Sequence, residues 1–263
     1  FKGGEDPTGS GNPNDPVYDE LVWSDEFNTD GPLDSEKWFH QTKLPDGNSW
    51  FNNELQHYTN RQANSYVEDG IMKIVAKRET FEDQGVTKEF TSARLNSKFT
   101  FTYGRVEVRA KLPTGKGTWP AIWTLGKNIT EVGSYWYTKG FGTTPWPDTG
   151  EIDIMEHWGT NQNYVSSAMH TPSSHGGTVN HGGQRINRVS TKFHIYTLQW
   201  FKDRMVFSVD GNVHYTYNPT VQNDDTWPFD KDQFLLLNFA IHDDSTQSFT
   251  EDSFEIDYVR VYQ

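Results

Sequence analysis

Three carboxylates crowd one short run of the chain, Gly150-Glu151-Ile152-Asp153-Ile154-Met155-Glu156-His157-Trp158-Gly159. Glu151, Asp153 and Glu156 are interleaved with Ile152, Ile154 and Met155, and the two β-branched residues predict a strand rather than a helix. Acids this close raise one another's pKa, and no Lys or Arg is interspersed to relieve them. The crowding has a chemical use: one carboxyl stays protonated as a general acid while another is ionised as a nucleophile. The plainer reading, an antiparallel strand with one solvated acidic face, leaves the missing counter-charges unexplained.

Side chains of a strand alternate between its faces, so Glu151 and Asp153 share a face and Glu156 falls on the other. A single β-bulge at Ile154 or Met155 absorbs one residue and returns Glu156 to the face of the other two. Glu151 and Glu156 are then four strand steps apart, roughly 13 Å between Cα atoms, and side chains leaning together bring the carboxyls to about 6 Å. Retaining glycosidases need roughly 5 to 5.5 Å and inverting ones about 6.5 to 9.5 Å, so the spacing leans towards retention.

The remaining chain must hold that strand. Residues 1 to 16, rich in Gly, Pro, Asn and Asp, read as a linker or flexible N-terminal arm. Residues 17 to 263 read as one domain, because β folds of roughly 200 to 250 residues are ordinary single domains. Strands are predicted at Leu21 to Phe27, Gly70 to Lys77, Thr91 to Leu95, Arg105 to Leu112, Thr118 to Gly126 and Val165 to His170. Others follow at His194 to Trp200, Arg204 to Val209, Phe234 to Ile241 and Phe254 to Tyr262, and Asp210-Gly211 predicts a hairpin turn. Arg105 to Leu112 alternates cleanly, its charged residues opposite Val106, Val108, Ala110 and Leu112. Trp119 and Trp123 share a face if extended, although Pro120 limits the regularity of their strand. Asn52 to Tyr58 reads as a loop, and so does Lys127 to Thr149, long enough to be functional and placed to wall a cleft. In the Gly- and Ser-rich segment Ser173 to Gly183, His175 and His181 join His170 without any Cys, and no metal site is expected of them. Many short strands with Gly and Asn turns, and no long amphipathic helix, predict an all-β sandwich.

Composition narrows the partner. A formal charge of -13 over 263 residues argues against nucleic acid and disfavours a sulfated or uronate polysaccharide; a neutral glycan is easier to accommodate. With 10 Trp, 12 Tyr and 17 Phe, large amphipathic rings suffice for both a core and a sugar cleft. Absence of Cys excludes a disulfide framework and thiolate chemistry. No apolar run reaches the length of a membrane span, and no signal peptide is seen, as expected of a mature chain.

The acidic run resembles the Glu-x-Asp-x-x-Glu signature of glycoside hydrolase family 16, in the longer form seen in laminarinases, agarases and carrageenases. Lichenases and xyloglucan-active members have one residue fewer. The resemblance extends from about Leu21 to Gln263, through Tyr103 to Leu125 and the final strand. It implies a β-jelly roll, a sandwich of two antiparallel sheets with the acids in a concave substrate cleft. It also implies a retaining endo-β-1,3-glucanase, with Glu151 as nucleophile, Asp153 assisting by hydrogen bonding and Glu156 as general acid/base. The expected partner is a neutral β-glucan, laminarin, met by a monomer that is secreted or at the cell surface, with no cofactor for catalysis. By the same resemblance Asn52, Arg94, Trp119, Trp123, His170 and Asn238 bind substrate: Arg94 at the negative subsites, the two Trp as a stacking platform, and His170 orienting an acid or a sugar hydroxyl. A structural Ca2+ is implied on the convex face, held by Glu26, the Gly70 carbonyl and Asp257, since hard oxygen ligands from both chain ends suit that ion. Alternatives are a hydrolase of mixed-linkage β-1,3-1,4-glucan or of an algal galactan of the agarase type, and a non-catalytic glucan-binding module. Such modules typically lack one or more of the acids, and all three stand here. One departure falls after Leu237-Asn238-Phe239-Ala240-Ile241, where related laminarinases continue with Gly-Gly and this chain has His242-Asp243-Asp244.

Overall fold

A computed structural model describes residues 12–242 and 248–263, so Asp243, Asp244 and most of the N-terminal arm lie outside the described residues. The first half of the chain supplies β1 (Leu21–Asp25), β2 (Trp38–His40), β3 (Gln56–Tyr58), β4 (Ser65–Glu68), β5 (Ile71–Asp83), β6 (Val86–Ser92), β7 (Arg94–Phe101), β8 (Gly104–Lys111) and β9 (Thr118–Gly126). One helical turn, α1 (Tyr135–Thr138), precedes β10 (Glu151–Glu156), β11 (Tyr164–His170), β12 (His181–Arg185), β13 (His194–Trp200), β14 (Met205–Val209), β15 (Asn212–Tyr217), β16 (Gln233–Ile241) and β17 (Glu251–Tyr262).

Two sheets form the predicted all-β sandwich. The first runs β15-β14-β13-β8-β17-β5-β6-β3, with β1 added to β17 and β4 to β5; the second runs β12-β11-β10-β9-β16-β7-β2. Pairing is antiparallel except between β3 and β6. Alternation explains the core. Val106, Val108 and Ala110 of β8 and Ile256, Val259 and Val261 of β17 meet Leu235, Leu237 and Phe239 of β16 and Ile152 and Ile154 of β10. Their odd partners, Arg105, Glu107, Arg109 and Lys111, are half-buried on the outer face of the first sheet. In the second sheet the same parity sends Trp119, Trp123, Asn238 and the acids to the face away from the core. The Asp210-Gly211 turn joins Val209 directly to Asn212, with φ of 49° and 80°, the left-handed pair that a two-residue hairpin demands.

The structure redraws three expected elements. Thr91 to Leu95 is not one strand: the chain leaves the first sheet at Ser92, passes Ala93 and enters the second at Arg94. Asn52 to Tyr58 is a loop only to Leu55, and Ser173 to Gly183 gives way to β12 at His181. Pro120 sits inside the sheet without loss, because its missing N–H faces the space just past Glu156; there its carbonyl accepts the His157 N–H at 3.2 Å. The long segment before β10 folds onto the outer face of the second sheet. Ile129 packs with Leu125, Phe234 and Leu236, and the Tyr135 N–H donates to Asn96 Oδ1 at 2.9 Å. Among the described residues no helix is long and apolar enough to cross a membrane.

Candidate active site

The acidic strand begins at Gly150, whose φ of 70° favours glycine and whose added Cβ would lie 2.3 Å from the Phe229 ring. From there β10 is regular to Asp153, pairing with Trp123 on β9 and Ala168 on β11. Pairing then slips: Met155 faces Ile122, Glu156 faces Ala121 and Ser166, and Ile154 has no partner on either side. Of the two positions the parity allowed, the bulge takes Ile154. Glu151, Asp153 and Glu156 consequently all line one cleft of about 810 Å3 on the outer face of the second sheet.

Each acid meets a different partner. Trp146, from the loop before β10, donates its indole N–H to Glu151 Oε2 at 2.9 Å, and Trp119 of β9 donates to Glu156 Oε1 at 3.1 Å. Because an indole only donates, the proton of Glu156, when present, is on Oε2. His170 Nε2 lies 3.0 Å from Asp153 Oδ2 and 3.6 Å from Glu151 Oε1. The Gly176 N–H donates to His170 Nδ1 at 3.1 Å, so the neutral ring carries its hydrogen on Nε2 and gives it to Asp153. That tautomer also answers a metal. Glu151, Asp153 and His170 are within ligand reach of one another, yet the Nε2 lone pair a cation would need is replaced by the N–H.

Burial pushes the pKa of all three acids up; repulsion from Asp153 adds to this at Glu151, and from Glu156 at Asp153. The Trp146 N–H pulls Glu151 back, and the Trp119 N–H pulls Glu156 back. Charge on Asp153 raises the pKa of Glu151, and two such close carboxyls favour sharing one proton over ionising together. Asp153 is the deeper, its side chain 5% exposed against 16% for Glu151, and burial penalises charge most where it is deepest. Depth therefore favours the proton on Asp153 and the charge on Glu151.

Beyond the acids, Trp123 donates to Asn238 Oδ1 at 2.7 Å, Asn238 Nδ2 to Tyr58 Oη at 3.0 Å, and Tyr58 to Glu54 Oε2 at 2.8 Å. Asn238 thus fixes the plane of Trp123 while bordering the cleft. Arg94 is buried at the cleft floor, pairing with Glu131, and its guanidinium carbon lies 4.8 Å from the Trp123 ring centre. Asn52 lines the mouth with φ of 56°, a left-handed conformation that Asn tolerates. Sequence reasoning missed Glu54, Glu131 and Trp158. Trp158 stacks on Trp119 with centroids 4.1 Å apart, so one face of the expected platform is already covered. Its position two residues past Glu156 in an otherwise polar segment was the available signal. His242, where the chain departs from related laminarinases, packs edge-on against Trp158 at 5.2 Å.

Glu26, Gly70 and Asp257 lie elsewhere, at the junction of β1, β17 and β5, where Asp25 pairs with Val259 and Met72 with Ile256. Arg260 donates to both oxygens of Glu26, at 2.9 and 2.8 Å, and Arg109 pairs with Asp257. The donors are the hard oxygens that Ca2+ prefers, but each carboxylate is held by a guanidinium. At the other end of the first sheet Asp15, from the expected arm, pairs with Arg204.

A β sandwich with paired carboxylates in an aromatic cleft defines a carboxylate-dependent glycoside hydrolase. The sequence profile of glycosyl hydrolases family 16 matches residues 51–260, and the chain belongs to that family. The protein named beta-glucanase of Rhodothermus marinus is 38% identical over 260 residues, covering 93% of this chain and 85% of its own length. The structure of LamA from Zobellia galactanivorans in complex with laminaritriose and laminaritetraose is similar at TM-score 0.87 and 45% identity, covering 94% of this chain and 100% of that one. The laminarinase from Rhodothermus marinus gives TM-score 0.80 and 38% identity, over 93% and 97% of the two chains. The expected family and the jelly-roll fold are both borne out.

Proposed function

We infer that this chain is a retaining endo-β-1,3-glucanase that hydrolyses laminarin-type glucans by double displacement. The observation that carries the reading is the bulged strand, which turns Glu151 and Glu156 to one cleft and gives them different hydrogen-bond partners. Glu156 Oε2 protonates the leaving glycosidic oxygen while the Glu151 carboxylate attacks the anomeric carbon. Glu156, now a base, takes a proton from the water that releases the glycosyl-enzyme. A protonated Asp153 donates to Glu151 as the leaving carboxylate recovers charge. Hydrolysis by these carboxyls requires no cofactor.

Similarity to LamA, whose structure holds laminari-oligosaccharides, supports the β-1,3 linkage. Charge supports a neutral chain: the cleft residues include five acids, Glu54, Glu131, Glu151, Asp153 and Glu156, against one cation, Arg94. The test is product analysis on laminarin, mixed-linkage β-glucan and agarose, with Glu151→Ser alongside. Short β-1,3 oligosaccharides from laminarin, first seen by proton NMR as the β anomer and absent with the variant, are expected. First appearance of the α anomer would overturn retention, and products only from the other polymers would overturn the substrate.

A structural Ca2+ at Glu26, the Gly70 carbonyl and Asp257 is a separate proposal, supported by the register that sets these positions on or beside the neighbouring strands β1, β5 and β17. The ion would have to displace Arg260 and Arg109. A rise in melting temperature on adding Ca2+, reversed by EDTA and lost in Asp257→Ala, is the expected result. We also propose that the chain acts outside the cell, as a polymeric substrate demands.

A further inference from the structure

The bulge creates a structural debt at Ile154. That residue is 2% exposed and outside the register of both neighbouring strands, so its carbonyl must find a partner away from the ladder. It finds Ser167 of β11, whose Oγ is 2.8 Å from the Ile154 carbonyl oxygen. Ser167 is fully buried and points to the core side, while its neighbours Ser166 and Ala168 line the cleft. The same Oγ lies 2.8 Å from Nε2 of His214 on β15, and His214 Nδ1 lies 2.9 Å from Nε2 of Gln184 on β12.

One arrangement of hydrogens satisfies the whole set. The Gln184 amide nitrogen also donates to the Asn212 carbonyl at 2.9 Å, which fixes the orientation of the amide and makes it a donor to His214 Nδ1. His214 then carries its hydrogen on Nε2 and donates to Ser167, whose hydroxyl donates to Ile154. The ring must be neutral for this, and burial pushes its pKa down to about 4.

We propose that Ser167, His214 and Gln184 form a strap, buried at Ser167, that holds the Ile154 bulge and thereby positions Glu156 opposite Glu151. None of the three touches the substrate; they are positioning residues. Without the bulge the strand regains simple alternation, and a slip of one residue turns Glu156 towards the core. The strap anchors the bulge on β15, an edge strand of the other sheet, so the catalytic strand is braced from a layer that the substrate does not reach. The inference rests on Glu156 being the general acid.

The test compares Ser167→Val with Ser167→Thr, which differ by the hydroxyl at nearly equal volume. Two substrates are used: laminarin, whose leaving oxygen needs protonation, and a dinitrophenyl β-laminaribioside, whose leaving group does not. Ser167→Val is expected to lower kcat/KM on laminarin about 10- to 100-fold, within the range a positioned acid supplies. KM should stay within about twofold, the aryl substrate should be nearly unaffected, and Ser167→Thr should recover most of the loss. Equal losses on both substrates, or an undiminished rate on laminarin, would overturn the strap. Glu156→Ala is the control: if it shows no leaving-group dependence, the acid assignment itself fails. Should Ser167→Val not fold, nitrogen-15 NMR of the unmodified enzyme decides, with His214 expected as the Nε2–H tautomer. An Nδ1–H tautomer would reverse the relay and refute it.

Discussion

Replacing Arg94 by Met tests how the cleft floor is built. Arg94 is 2% exposed, donates from Nε to Gln41 Oε1 at 3.0 Å, pairs with Glu131, and lies over Trp123 and Trp50 at 4.8 and 5.4 Å. Glu131 is nearly as deep, its side chain 9% exposed, and it also accepts from the Gln41 amide at 2.6 Å. Arg94→Met leaves that carboxylate buried without its cation, which costs about 3 to 5 kcal/mol. Each kcal/mol lowers the melting temperature of a domain this size by roughly 2 to 4 °C, so a fall of roughly 6 to 20 °C is expected. Arg94→Met/Glu131→Gln should recover most of it, because the second change removes the stranded charge. Urea unfolding followed by tryptophan fluorescence gives the free energies. A single variant costing less than about 1 kcal/mol, or a double variant no more stable than the single, would show that this ion pair does not hold the floor. KM for laminarin should rise in both, since Trp123 loses the cation beneath its ring.

Two further outcomes follow from the acids. Glu151→Gln should melt higher than the unmodified enzyme at neutral pH. The folded-state pKa of Glu151 is raised above its ordinary 4.5, so ionisation is penalised only in the folded protein. The stability it contributes is full below that value and lost as the pH rises through the raised one. The gap between the two melting curves should close towards pH 4.5, and a variant less stable at neutral pH would contradict the sign. Trp146→Phe removes an indole donor to Glu151. A hydrogen bond to a charged group is worth about 1.5 to 3 kcal/mol, and Trp146 is 42% exposed, so the low end applies. Stopped kinetic assays should show kcat/KM down about tenfold.

Much of this was legible in the sequence because it depends on local parity. The alternation of Arg105 to Lys111 set its core face, and the odd spacing of Glu156 demanded a bulge. It did not say which residue bulges, because Ile154 and Met155 satisfy parity equally; pairing of Met155 with Ile122 decides it. Thr91 to Leu95 misled because a strand that changes sheet keeps its β-type composition through the crossover. β12 was hidden by its glycines, which signal turns but here make room: a Cβ on Gly183 would lie 2.5 Å from Tyr164 Oη. Glu131 was invisible because its meaning comes from Arg94, 37 residues earlier, and no local pattern encodes a long-range ion pair.

Position along a single strand also sorts the acids into roles. Glu151 at its start is reached by the loop that carries Trp146, Asp153 in its middle is sealed against His170, and Glu156 at its end meets Trp119. If Asp153 acts by holding a proton towards Glu151, an amide in its place reproduces the pattern. Asn donates to Glu151 through Nδ2 and accepts the His170 Nε2–H through Oδ1. Asp153→Ala instead strands both partners. Loss of one such bond at a buried charge costs about 1.5 to 3 kcal/mol, so Asp153→Ala should lose roughly 10- to 100-fold in kcat/KM, with Asp153→Asn retaining most of the activity. Asp153→Asn as slow as Asp153→Ala would mean that Asp153 must ionise or move its proton during turnover, and the static role derived from its depth would be wrong.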